Sequence, residues 1–100
     1  TADFKTESAL ATWTVDCQPL AKLLRKNTIH RTIDILQIDA EGSDDYVLYS
    51  SNVEELKPAI IYYEINHLSQ DRASNLRQYL SGLGYKLMRQ GDNMLSLRIP

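Results

Sequence analysis

The sequence holds a single cysteine, Cys17, in 100 residues. An internal disulfide and a cysteine-based zinc site are therefore excluded, and a reducing, cytoplasmic setting is the default expectation. Glycine is also scarce. Gly42, Gly82, Gly84 and Gly91 are the full set, and none forms a G-x-G turn after a strand that opens a helix. The close backbone approach that a dinucleotide-type site requires has no counterpart here, and neither does a Walker-type loop ending in Lys-Ser/Thr. No apolar run approaches the ~20 residues of a membrane span. Asp3, Lys5 and Glu7 interrupt the first ten residues, where a leader would be apolar. The formal net charge is −2 with no run of Lys or Arg, so the concentrated positive face that nucleic-acid phosphates demand is missing. No nucleic-acid or membrane partner is expected.

What is present suits one α/β domain. With 43% apolar residues and mixed charges, the chain has the composition of a folded protein. A chain of this length can bury roughly two thirds of the surface that it exposes when unfolded. Residues 1–11 show no period and read as a loose lead-in. Thr12–Val15 is β-branched and aromatic, the composition of a short strand. Asp16 is placed to cap a helix with Pro19 in its first turn; Leu20, Leu23 and Leu24 share its apolar side, and Arg25 and Lys26 suit its C-terminal end. Ile33–Asp39 is apolar on both faces, the pattern of a parallel strand covered on both sides. Gly42 ends it. Ser43 then caps a helix with Asp44 and Asp45 in its first turn and Val47 and Leu48 facing inward, continuing to about Leu56.

Pro58 restarts the extended chain, and Ala59–Ile65 is a second buried strand. Ser69 or Asp71 begins a helix with Leu76, Tyr79, Leu80 and Leu83 on one face, stopped by Gly82 and Gly84. Tyr85–Arg89 and Met94–Arg98 flank Gln90-Gly91-Asp92-Asn93, a turn short enough to join only antiparallel neighbours. The expected order is strand, helix, strand, helix, hairpin: part of an open α/β sheet with parallel strands, helix crossovers and a reversed strand at the end.

Several segments carry a resemblance. Ile33-Asp34-Ile35-Leu36-Gln37-Ile38-Asp39-Ala40-Glu41-Gly42 is similar to the "IDLLKIDVEG" segment of FkbM-family methyltransferases. Leu56-Lys57-Pro58-Ala59-Ile60-Ile61-Tyr62-Tyr63-Glu64-Ile65 resembles the family's "L-x-P-x-I-I-x-E-I" strand. Leu83-Gly84-Tyr85, Asn93-Met94-Leu95 and Thr14-Val15-Asp16 match shorter pieces in the same order. The resemblance spans about residues 12–98. It implies a class I methyltransferase, Rossmann-like sheet, of which residues 12–100 are the C-terminal half and from which the glycine-rich cofactor-binding half is absent. It also implies methyl transfer from S-adenosylmethionine, usually to a hydroxyl oxygen of a small molecule or sugar. Gln37 stands where the family usually has Lys, which removes a charge. Such a change suits an alternative in which an α/β interaction module keeps the fold without catalysis.

In open α/β sheets, ligands sit beyond the carboxyl ends of the parallel strands. Asp39 and Glu41 fall at one such end; Glu64, Asn66 and His67 fall at the next. Methyl transfer needs an acceptor oxygen held in line and a base for its proton. Histidine is the side chain that ordinarily titrates nearest neutrality, which makes His67 the base candidate, with Asp39 beside it as the second catalytic candidate. Glu41, Glu64 and Asn66 are expected next to substrate and cofactor. Asp39, Glu41 and Glu64 could together offer oxygen ligands to Mg²⁺. Each has a plain alternative: Asp39 as a helix cap or backbone ligand, Glu41 as a solvated carboxylate, Glu64 as a structural ion-pair member, His67 as a surface loop residue.

His30 reads as solvated, and Tyr46, Tyr62, Tyr63 and Tyr79 read as packing residues. Asn93 is the candidate for a positive φ in the hairpin turn. Asp39 at a strand end also resembles the acceptor of a phosphoryl-transfer domain, but no phosphate loop accompanies it. Finally, without the other half of a sheet the Ile33–Asp39 strand would present a bare edge, which proteins usually cover. Thr12–Val15 or a second copy in a homodimer is expected to cover it.

Overall fold

The computed structural model of the protein describes residues 2–5, 12–27 and 32–99. In chain order they form β1 (Ala2–Lys5), β2 (Thr12–Val15), α1 (Leu20–Lys26), β3 (Ile35–Gln37), α2 (Asp44–Ser50), α3 (Val53–Leu56), β4 (Ile60–Glu64), α4 (Gln70–Gly82), β5 (Tyr85–Gln90) and β6 (Asn93–Arg98). The class is α/β. One mixed sheet has the order β3-β4-β6-β5, and β1 and β2 form a separate two-stranded sheet.

The two apolar runs, β3 and β4, pair in parallel, with Ile35 opposite Ile60 and Gln37 opposite Tyr62. Main-chain bonds from Ile60 to Asp34 (3.0 Å) and from Ile38 to Tyr62 (2.9 Å) extend the pairing at both ends. β6 runs antiparallel to both β4 and β5 and lies between them. The reversed strand is thus inserted into the sheet, leaving β5 parallel in direction to β4. The connection β5–β6 has two residues, Gly91 and Asp92, and Gly91 adopts φ +62°. A two-residue loop needs such a conformation at its first position, and glycine takes it without steric cost. Asn93, expected to supply that conformation, is instead the first residue of β6, paired with Gln90.

The sheet is closed on one face. Ile38, Ile61, Tyr63, Tyr85 and Met94 lie in one core with Leu48 of α2, Val53 of α3 and Leu76 and Leu80 of α4. Leu36 and Leu87 are partly buried against it. The opposite face carries Ile35, which is 62% exposed. β3 was expected to be covered on both sides; among the described residues the cover is on one side only. Val47 is likewise exposed while Leu48 is fully buried, so only one of the two expected inward residues faces the core.

The helix or its continuation was expected to reach about Leu56, and α3 ends there; the stretch is interrupted at Asn52, which takes a left-handed φ of +55°, and α3 restarts after it. Lys57 ends α3, also left-handed (φ +46°). It precedes Pro58, whose ring bars the residue before it from the right-handed helical region. The buried Tyr85 hydroxyl donates to the Pro58 carbonyl at 2.5 Å and ties the start of β5 to the start of β4. α4 is capped as expected: the Ser69 hydroxyl accepts the Arg72 N–H at 3.2 Å.

The N-terminal readings change more. Ala2–Lys5 is a strand paired antiparallel with Thr12–Val15, so not all of 1–11 is lead-in. The pairing is non-local, and no local period announces it. Residues 1, 6–11 and His30 lie outside the described residues. Because β2 partners β1, it does not cover β3, whose outer edge has no strand partner among the described residues. α1 is preceded by Pro19 in extended conformation at the N-cap, with no side-chain cap, so Asp16 does not serve there. Leu20, Leu23 and Leu24 are not buried, although Arg25 and Lys26 occupy the last turn as expected.

Candidate functional site

Parallel pairing of β3 and β4 brings their carboxyl ends side by side, and one buried carboxylate fixes them there. Asp44 is fully buried. Its Oδ1 accepts the Ala40 N–H at 3.0 Å, and its Oδ2 accepts the Glu64 N–H at 2.9 Å. The first turn of α2 thereby joins the two strand ends. These two main-chain donors satisfy both oxygens of the buried side chain, as burial of a polar group requires.

Four of the five expected site residues lie around this junction, and the fifth extends it. Asp39 is exposed at the end of β3. Glu41 is exposed with φ +38°, and Gly42 follows with φ +100°. A Cβ at Gly42 would lie 3.5 Å from the His67 Cβ and 3.7 Å from its carbonyl oxygen, so this turn packs against the loop after β4. The His67 Nε2 stands 3.6 Å from the Glu64 Oε1. The imidazole is half exposed and the carboxylate a quarter exposed, so the pair borders solvent. Asn66 lines a cleft of about 670 Å³ between α4 and the β5–β6 hairpin, with Arg77, Arg89, Asp71 and Asp92 around it. The cleft shares only Asn66 with the expected site. It adjoins the carboxylate–imidazole pair through Asn66.

Among the described residues no three His, Cys, Asp or Glu side chains are grouped to hold a metal ion. Asp39, Glu41 and Glu64 therefore do not form the oxygen ligand set considered for Mg²⁺. Glu64 faces His67 instead, and the buried carboxylate at the strand junction, Asp44, is taken up by two backbone donors.

A second cluster borders the same turn. The Arg72 Nε donates to Asp45 Oδ2 (2.9 Å), and its Nη2 donates to Asp45 Oδ1 (2.6 Å) and to the Gly42 carbonyl (2.7 Å). Arg72 holds the Asp45 carboxyl below the usual carboxylate value by these hydrogen bonds, against the opposing effect of burial. The guanidinium lies 4.6 Å from the Tyr46 ring centroid. Tyr46 is 61% exposed, so it stacks on Arg72 rather than packing in the core. Tyr63 does pack; burial pushes its hydroxyl pKa up, and the oxygen has no hydrogen-bond partner among the described residues. Tyr79 meets Tyr49 edge to face at 5.0 Å and donates to Glu54.

Asp44, Asp45 and Arg72 were not among the expected site residues. Paired acids in a first helical turn read as partners of the helix dipole. The signal that they do more is their position directly after a strand-end glycine, where two parallel strands must be joined.

Gly42 is the one glycine between a parallel strand and the helix after it, and His67 fills the space beside it. Gly84 and Gly91 have nothing within 4 Å of a built Cβ, but they sit at the end of α4 and in the hairpin. No helix is long and apolar enough to cross a membrane, among the described residues.

No curated protein and no solved structure matches the chain. The family profile described as "Methyltransferase FkbM domain" matches residues 3–87, from β1 into β5. The chain belongs to the FkbM methyltransferase family.

Proposed function

We propose that these residues form the acceptor-side portion of an S-adenosylmethionine-dependent methyltransferase that methylates a hydroxyl oxygen of a small molecule or sugar. The observation that carries the reading is the Glu64–His67 pair at the carboxyl end of β4, beside the Gly42 turn. The strand order β3-β4-β6-β5, with β6 inserted antiparallel, supports a class I sheet, since the resemblance implies one antiparallel strand in its final hairpin. The donor, which supplies an electrophilic methyl group when bound, is held by residues other than those described here.

His67 Nε2 faces Glu64, which leaves Nδ1 to take the proton of an acceptor hydroxyl. The Glu64 carboxylate orients the ring and stabilises the imidazolium that results, as a carboxylate does for a histidine base elsewhere. Asp39 and Glu41 add negative charge at the same mouth, and Asn66 leads from it into the cleft that receives the rest of the acceptor. A second copy of the chain covers the outer edge of β3. The single cysteine suits a reducing compartment.

The test is transfer of isotope-labelled methyl from S-adenosylmethionine by the full-length protein to a panel of hydroxylated sugars and small molecules. A labelled methyl ether is expected. Donor binding without any labelled product would favour the non-catalytic module, a reading to which the exposed Gln37 lends support, since it stands where the family usually has Lys.

A further inference from the structure

Arg72 has no place in the proton transfer proposed above, yet it grips the turn that borders His67. It lies in the first turn of α4 and reaches the segment after β3, 30 residues earlier in the chain. One guanidinium makes three hydrogen bonds there, two to the buried Asp45 carboxylate and one to the Gly42 carbonyl. A planar fork presents donors from two nitrogens to these acceptors in a fixed geometry; an ammonium carries its three donors on one atom and lacks that bidentate fit. The Tyr46 ring against the guanidinium restricts it further.

What Arg72 holds is unusual backbone. Glu41 (φ +38°) and Gly42 (φ +100°) are consecutive left-handed residues. Glutamate adopts that conformation rarely, and it persists where the surroundings over-determine it. The Gly42 carbonyl held by Arg72 belongs to a residue beside His67: a Cβ added there would stand 3.5 Å from the His67 Cβ and 3.7 Å from its carbonyl oxygen. Asp45, Arg72 and Gly42 are joined by hydrogen bonds, and Gly42 neighbours His67.

We infer that Arg72 is a positioning residue for proton transfer at His67, because it clamps the Glu41–Gly42 turn against the backbone that sets the imidazole beside Glu64. The inference rests on the reading of His67 as the base. Its structural half stands without that reading: loss of the fork frees the turn and alters the environment of His67.

The test compares Arg72→Lys with Asp45→Asn in the full-length protein. The first retains charge and loses the bond to Gly42. The second weakens the ion pair and retains that bond. For Arg72→Lys we expect kcat to fall about 10- to 100-fold, as for a small misplacement of a catalytic group, with the acceptor KM changed by less than about threefold and the pH profile of kcat shifted. Asp45→Asn should lower thermal stability at least as much and lose less of kcat. Arg72→Lys with wild-type kcat and pH profile would overturn the inference, as would losses in both variants that simply track stability. An NMR arm separates this from failure of the methyltransferase reading. Even in a protein that transfers no methyl group, the His67 imidazole titration and the amide exchange of Gly42 and Ser43 should change in Arg72→Lys. If both stay at wild type, the clamp itself is refuted.

Discussion

The Glu64 N–H donates to the Asp44 carboxylate across 20 residues of sequence, at 2.9 Å. With the Ala40 N–H on the other oxygen, this contact sets how far apart the ends of β3 and β4 lie, and so the spacing of Asp39 from Glu64. In Asp44→Asn one backbone donor faces an amide N–H₂ instead of an oxygen. A buried donor left without its acceptor costs about 1–3 kcal/mol, more when the lost partner was charged. The expected outcome is a loss of that size in chemical denaturation, with faster amide exchange at Ala40 and Glu64. Unchanged exchange at both amides would show that the junction is held by something else.

Asp45 gives the protein an acid-sensitive contribution. Its folded-state pKa lies below the ordinary value because Arg72 donates hydrogen bonds to the carboxylate. A depressed pKa contributes stability that is fully present above the unfolded value, near 4, and is lost as pH falls through the folded value. The wild type should lose this contribution progressively as pH is lowered below the unfolded value. Asp45→Asn should be less stable at neutral pH and have a shallower acid limb. Urea unfolding at a series of pH values measures both, and parallel curves for the two proteins would contradict the assignment.

Gly42 and Gly84 separate backbone strain from site geometry. Both adopt a positive φ, +100° and +96°. Alanine at either position should cost about 1–2 kcal/mol from the left-handed backbone. The added Cβ at Gly84 meets nothing within 4 Å, whereas at Gly42 it comes into van der Waals contact with His67, so any backbone shift that relieves the left-handed strain there is passed to His67. Similar shifts in Tm are expected, with impaired methyl transfer in Gly42→Ala alone. Equal transfer by the two variants would remove the Gly42 turn from the site.

Tyr85→Phe tests the anchor between β5 and β4. The hydroxyl donates to the Pro58 carbonyl in a buried setting. Its removal leaves that carbonyl without the donor, at a cost of about 1–2 kcal/mol. No effect on stability in a denaturant titration would mean that water replaces the hydroxyl at no cost.

Much of this architecture is legible from local signals. Ile33–Asp39 and Ala59–Ile65 announce strands by β-branched apolar runs, and Leu76 and Leu80 announce one face of α4. Gly91-Asp92 sets the hairpin. What is hidden depends on distant partners. Ala2–Lys5 becomes a strand only through Thr12–Val15. The break at Asn52 rests on a left-handed residue that no spacing reveals. Glu64, Asn66 and His67 lie where the sequence pattern puts them, at and just after the carboxyl end of β4, the region where ligands bind in open sheets. Asp44 and Asp45 could not be distinguished from dipole partners, because their roles are set by Ala40, Glu64 and Arg72. The metal option depended on a side-chain grouping that spacing cannot set: among the described residues Asp39, Glu41 and Glu64 are not clustered, and Glu64 faces His67.

The measurement that bears most directly on the account is single-turnover methyl transfer by the full-length protein, wild type against His67→Gln, with donor and acceptor both saturating. A general base contributes about 10²- to 10⁴-fold, so the variant should bind S-adenosylmethionine as the wild type does and transfer slower by a factor in that range. Equal single-turnover rates would contradict the assignment of His67 as the group that takes the acceptor's proton.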